Sequence, residues 1–217
     1  WQAALRAAGA GCHAVDLVMS GECENAFCAV RPPGHHAEKA NPMGFCFFNN
    51  IGVAARHALK KHGLERVAII DFDVHHGNGT EDCFAGDDQV LMCSIFQHPF
   101  YPYCGTEKPA ANMCNVPLAA GCGGEEFRDA VLQVWTPRLK EFKPQMIFIS
   151  AGFDGHYEDD MGGLKLLEKD YAWCTEHLKN LAAEMCDKRI VSMLEGGYVM
   201  TSLARSVGAH LRVLADL

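Results

Sequence analysis

The segment Asp71-Phe72-Asp73-Val74-His75-His76-Gly77-Asn78-Gly79 follows an apolar run and places carboxylate, carboxylate and imidazole at every second position. Alternate side chains of an extended chain point to one side, so Asp71, Asp73 and His75 would share a face. Buried there without partners they would cost several kcal/mol in desolvation. A divalent cation is the natural compensation, because carboxylate and imidazole donors together suit Zn²⁺ or a similar first-row ion. The alternative is a polar strand end whose charges are solvated. A catalytic zinc usually takes three protein ligands and leaves one position open. Two ligands from D-x-D-x-H leave one to find, and Asp154 in Ser150-Ala151-Gly152-Phe153-Asp154-Gly155-His156 is the candidate. Taken alone, an Asp in a glycine turn needs no metal.

Two further clusters carry chemistry. Arg31-Pro32-Pro33-Gly34-His35-His36-Ala37 sets adjacent histidines in a stiff loop, poor core material but useful as acid–base groups. Each needs a partner to fix its tautomer, and Asp71 and Asn78 are available if the loops meet. In Leu194-Glu195-Gly196-Gly197-Tyr198, paired glycines let backbone approach a ligand closely. The Tyr198 phenol could donate to a developing oxyanion, or simply pack on its turn.

The elements that must position these groups alternate. Apolar strand-like runs are expected at 26–30, 67–71, 90–95, 146–150 and 190–194, and helices at about 50–61, 125–140, 169–185 and 202–214. This pattern implies one α/β domain over residues 1–217, with a mostly parallel sheet buried on both faces. Each chemical cluster follows the C-terminal end of a strand, where open α/β sheets bind ligands. With 49% hydrophobic and 21% charged residues the chain reads as globular, and a net charge of −8 argues against nucleic-acid binding. An acidic rim would instead attract a basic peptide or amine. The 11 cysteines are odd in number and never spaced C-x-x-C, which points to a reducing, cytoplasmic setting. The apolar runs are too short to span a bilayer, so no membrane association is expected. The chain opens at Trp1 within an amphipathic pattern, as expected of a fragment whose N-terminal part is missing.

Together RPPGHHA, GFCFFNN, DFDVHHGNGT, SAGFD and EGGY resemble, in order, the motifs of the histone deacetylase family. That family includes bacterial class II-like and acetylpolyamine-hydrolysing members. The resemblance implies the three-layer arginase–deacetylase fold. It makes Asp73, His75 and Asp154 the zinc ligands, with Fe²⁺ or Co²⁺ as alternative ions. His35 and His36 become the catalytic pair, oriented by Asp71 and Asn78, and Tyr198 the transition-state donor. Gly44 and Phe45 would line a substrate channel, with Phe100 and Tyr101 as its opposite wall. A structural K⁺ or Na⁺ would be held by Asp71, Asp73, His75, Ser94 and Ile95. Some members carry Asp where this chain has Asn78, and a weakly active branch carries His where this chain has Tyr198. The family domains also have an N-terminal segment ahead of the position of Trp1.

The implied reaction is hydrolysis of an acetylated protein, peptide or polyamine at an N-acetyl amide. An arginase-like hydrolase would need a second metal and further D-x-H-x-D carboxylates. A binding protein for acylated ligands and a closed structural metal site are the remaining alternatives. The oligomeric state is not legible in the residues.

Overall fold

The alternation of side chains along the strands sets the layering. The computed structural model describes Trp1–Leu217. It contains six strands, β1 (Asn25–Cys28), β2 (Val67–Asp71), β3 (Val90–Gln97), β4 (Met113–Leu118), β5 (Ile147–Ala151) and β6 (Ile190–Leu194). Their helices are α1 (Gln2–Ser20), α2 (Asn50–His62), α3 (Asn78–Phe84), α4 (Gly124–Ala130), α5 (Thr136–Phe142), α6 (Glu168–Met185) and α7 (Met200–Leu214). Val67 and Ile69 of β2, Val90 and Met92 of β3, and Val191 and Met193 of β6 pack under α1, α2 and Phe84 of α3. The intervening Ala68 and Ile70, with Ile147 and Ile149 of β5, face Phe127, Trp135 and Leu139 and the inner side of α6. The result is the expected three-layer α/β sandwich, with every strand pair parallel.

Strand order is β1-β6-β5-β2-β3-β4. From β2 the chain builds outward through β3 and β4, then crosses back to β5 and builds the other way. The order therefore reverses between β2 and β5, and the crevice beyond their C-terminal ends is the ligand-binding position of such sheets. The loops after these two strands carry Asp73, His75 and Asp154.

Several boundaries differ from the sequence expectation, each for a local reason. The first strand stops at Cys28 rather than residue 30, where Val30 N–H turns back onto Cys28 O. The expected helix over 125–140 runs as α4, a π-helical turn at Val131–Trp135, and α5. Within it the Thr136 hydroxyl donates to the Val131 carbonyl (2.9 Å). Helices α1 and α3 and edge strand β4 were not among the expected elements. Helix α2 begins behind the histidine loop, capped by Asn49, whose side chain accepts from Gly52 N–H (2.8 Å).

Candidate metal centre and its surroundings

Beyond Asp71 the chain leaves the extended conformation, so Asp71, Asp73 and His75 do not lie along one continuous strand as the spacing suggested. Asp71 Oδ1 accepts Asp73 N–H (3.1 Å) and Asp73 Oδ1 accepts His75 N–H (2.9 Å). These side-chain turns replace strand pairing. The sidedness survives, because Phe72 and Val74 still enter the core while the alternate polar residues face the crevice. Asp154 arrives from the loop after β5, and its Oδ1 accepts Val74 N–H (3.0 Å).

Asp73, His75 and Asp154 thereby bring ligand atoms within 4.8 Å of one another, all in buried residues. His75 Nδ1 lies 2.9 Å from Asp73 Oδ1 and 3.3 Å from Asp154 Oδ2. Asp154 Oδ2 is buried and has no donor in hydrogen-bond geometry. An orphaned carboxylate oxygen at the meeting point of two oxygen donors and one nitrogen donor fits a divalent first-row ion. Without an ion, burial and the neighbouring Asp73 push the Asp154 carboxyl up to about 6. His75 is pushed up to about 10, the two carboxylates outweighing its burial. The glycines make room: a Cβ on Gly196 would fall 2.6 Å from Asp73 Oδ2, where Gly196 N–H now donates (2.9 Å).

The histidine loop packs against this centre. His35 Nδ1 lies 2.9 Å from Asp71 Oδ2, and His36 Nδ1 lies 2.8 Å from Asn78 Oδ1. Asn78 Nδ2 donates to Glu38 Oε1 (2.7 Å), which fixes the amide with its oxygen toward His36. An amide oxygen can only accept, so His36 carries its proton on Nδ1 and presents Nε2 as a lone pair. Burial and the charge of His35 push His36 down to about 3, so it stays neutral. His35 moves the opposite way: Asp71, Asp73 and Glu195 overcome its burial and hold it protonated well above the usual imidazole range. Gly44, at φ 54°, lies against the His36 ring with no space for a side chain.

A cavity of about 430 Å³ opens above these groups, lined by His36, Gly44, Phe45, His75, Phe100, Tyr101, Asp160, Met161 and Tyr198. The expected channel residues Gly44, Phe45 and Tyr101 are all present. Phe100 stacks on the His75 ring (centroids 5.3 Å, 17°), and Tyr101 meets His36 edge-on (5.2 Å). Burial and the nearby Asp73 and Asp154 raise the Tyr198 phenol well above its ordinary value, which keeps it a donor.

Three acidic residues escaped the sequence reasoning as site components. Glu195 Oε2 accepts Gly34 N–H (2.7 Å) and His35 N–H (3.1 Å), and Oε1 accepts the Ser150 hydroxyl (3.1 Å), tying the histidine loop to β5 and β6. Buried Asp159 Oδ2 accepts the N–H groups of Tyr198 (2.7 Å) and Val199 (3.2 Å) and so holds the tyrosine turn. Asp160 supplies the carboxylate at the cavity wall. Only tertiary contact reveals these roles, although Glu195 lay within a noticed motif. Of the expected monovalent-cation residues, Asp71 and Ser94 are register partners on β2 and β3. The Ser94 hydroxyl meets His76 Nδ1 (3.1 Å), and the Ile95 side chain enters the core. A second His/Asp group, Asp16 with His57 and His62, lies between α1 and α2 and does not make this a two-metal centre.

Fold and site define a parallel α/β protein with a buried carboxylate–imidazole centre and a histidine pair at the topological switch. The histone deacetylase domain model matches residues 1–214. The chain belongs to the histone deacetylase family. It is 42% identical over 237 residues to the type-2 histone deacetylase 2 of Dictyostelium discoideum, covering 99% of this chain and 14% of that protein. It is 43% identical over 201 residues to a probable deacetylase of Archaeoglobus fulgidus, covering 90% of this chain and 56% of that one. The crystal structure of the HDA15 HD domain superposes with a TM-score of 0.93 at 36% identity, covering 99% of this chain and 62% of that chain. The chain thus spans little more than half the length of the Archaeoglobus relative, and a much smaller share of the Dictyostelium one.

Proposed function

We propose that residues 1–217 belong to the catalytic domain of a zinc-dependent deacetylase, an amidohydrolase acting on acetyl-lysine or related acetylated amines. The orphaned Asp154 Oδ2, facing His75 at the base of an aromatic-walled cavity, carries the reading. Asp73, His75 and Asp154 would hold the ion, with Zn²⁺ the best match to the donors and Fe²⁺ or Co²⁺ as alternatives. When bound, such an ion supplies Lewis acidity toward a carbonyl and toward water. His36 Nε2 accepts the proton that water loses as it attacks the acetyl carbonyl, then returns one to the departing amine. Protonated His35, anchored on Asp71, adds fixed positive charge beside the developing oxyanion, and the Tyr198 hydroxyl donates to it.

Phe45, Phe100, Tyr101 and Met161 surround an aliphatic stem, and Asp160 together with the net charge of −8 favours a cationic substrate. An acetylated protein, peptide or polyamine fits that description, whereas nucleic acid does not. A K⁺ or Na⁺ ion near Asp71, Asp73, His75, Ser94 and Ile95 would be structural. All the cysteines are free, in keeping with a reducing compartment such as the cytoplasm, and no helix is long and apolar enough to cross a membrane. The test is acetate release from acetyl-lysine peptides and acetylpolyamines, before and after chelation and with Zn²⁺ restored. Release that chelation abolishes and Zn²⁺ restores is expected. Chelator-insensitive release, or none from any substrate of the full-length protein, contradicts the reading.

A further inference from the structure

Metal-ligating atoms converge at one other place, where α1 packs on α2. The two helices touch through small residues, with Ala14, Val15 and Val18 against Ala54, Ala55 and Ala58. At the edge of this contact Asp16 of α1 faces His57 and His62 of α2. His57 Nε2 lies 2.8 Å and His62 Nε2 2.7 Å from the same oxygen, Asp16 Oδ1. The ligand atoms of all three lie within 4.8 Å of one another. Donors around one tetrahedral zinc, at bonds of about 2.0–2.2 Å, sit about 3.3–3.6 Å apart, so each imidazole must draw back from Asp16 by roughly 0.5–0.9 Å to admit the ion. The side chains are a fifth to a third exposed, which leaves an ion a path from solvent.

We propose that Asp16, His57 and His62 form a second, exchangeable site for a first-row divalent ion such as Zn²⁺, linking α1 to α2. The imidazoles supply Nε2 lone pairs and Asp16 supplies charge, with water completing the shell. Lys61 is the competitor, its Nζ lying 2.9 Å from Asp16 Oδ2. Its side chain is more than half exposed and returns to water at little cost. Competition makes a specific forecast: removing the lysine charge tightens the site, while removing the imidazoles abolishes it.

Equilibrium dialysis against Zn²⁺, read by elemental analysis, tests this with wild type, His57→Gln/His62→Gln and Lys61→Met. Wild type should bind one equivalent more than the double variant at micromolar free Zn²⁺, whatever the strand-end centre holds. Lys61→Met should bind that equivalent roughly threefold or more tightly, and Zn²⁺ should raise the melting temperature of wild type by more than that of the double variant, which keeps only the strand-end centre. Equal stoichiometry in wild type and double variant overturns the proposal, as does unchanged affinity in Lys61→Met. If circular dichroism shows the double variant misfolded, His62→Gln alone, at the end of α2, decides. It should weaken the site by about tenfold or more, and unchanged affinity there is equally contrary.

Discussion

Replacing Gly196 by alanine adds one methyl group at the point where two proposed ligands meet. The new Cβ would fall directly against Asp154 Oδ2, and 2.6 Å from Asp73 Oδ2. Non-bonded heavy atoms settle at about 3.5 Å, so the Asp73 carboxylate must give way by roughly 0.9 Å and that of Asp154 by more. Metal sites tolerate only about 0.2 Å in bond length. Both carboxylates are fully buried and hemmed in by backbone donors, so neither can move without losing a hydrogen bond. Disturbing groups that merely orient ligands costs about 10–100-fold in metal affinity, and Gly196→Ala should cost at least that. Backbone strain does not confuse the result, because Gly196 is not among the positive-φ glycines. Gly9→Ala is the control: it makes the same chemical change on α1, where an added Cβ meets nothing within 4 Å. It should leave metal affinity unchanged and, in a helix interior, stabilise the fold by roughly 0.5–1 kcal/mol. Chelator-competition titration of both variants is the assay. A folded Gly196→Ala variant that binds metal within a factor of about three of wild type would refute the proposed ligand geometry.

Tyr198→Phe should lower kcat by about 10²–10³-fold with little change in KM, since its hydroxyl is proposed to act only on the oxyanion; a loss of only a few-fold removes that role. His36→Ala should lose at least about 10²-fold in kcat while keeping its metal. Loss of the metal from that variant would show the ligand set to be wrong. Stability against pH should report Glu195, whose carboxyl burial pushes up to about 7 from an unfolded value near 4.3. The folded state then holds the proton more tightly, so this contribution is full below about pH 4.3 and is lost as pH rises to 7. Denaturant melts of the metal-free chain should therefore fall across that window, and less steeply in Glu195→Gln; parallel curves would contradict the assignment.

The proposed ligands were legible because two of them lie in one short motif and the third follows a strand of the same apolar type. The sheet itself fixes only part of that geometry. The side-chain turns at Asp71 and Asp73 do the rest, and nothing in a two-residue period announces them. Edge strand β4 was illegible for a physical reason, since Pro117 and Asn115 break the strand pattern and only an edge tolerates the missing donor. Helix α3 opens with Asn78-Gly79, which reads locally as a turn, and is held by contacts with the histidine loop such as Thr80 N–H to His35 O (3.1 Å). Asp159 and Glu195 act on backbone donors far away in sequence, and no local pattern encodes such pairing.

Asp73, His75 and Asp154 are proposed to hold one ion that the reaction requires. Metal content and turnover measured together on Asp154→Ala, in the full-length protein, test it most directly. Asp154 contributes the orphaned oxygen and makes one backbone contact, so its loss should empty the strand-end centre and abolish acetate release while the fold melts cooperatively. An Asp154→Ala protein that retains its strand-end ion and turns over acetylated substrate at the wild-type rate would contradict the account.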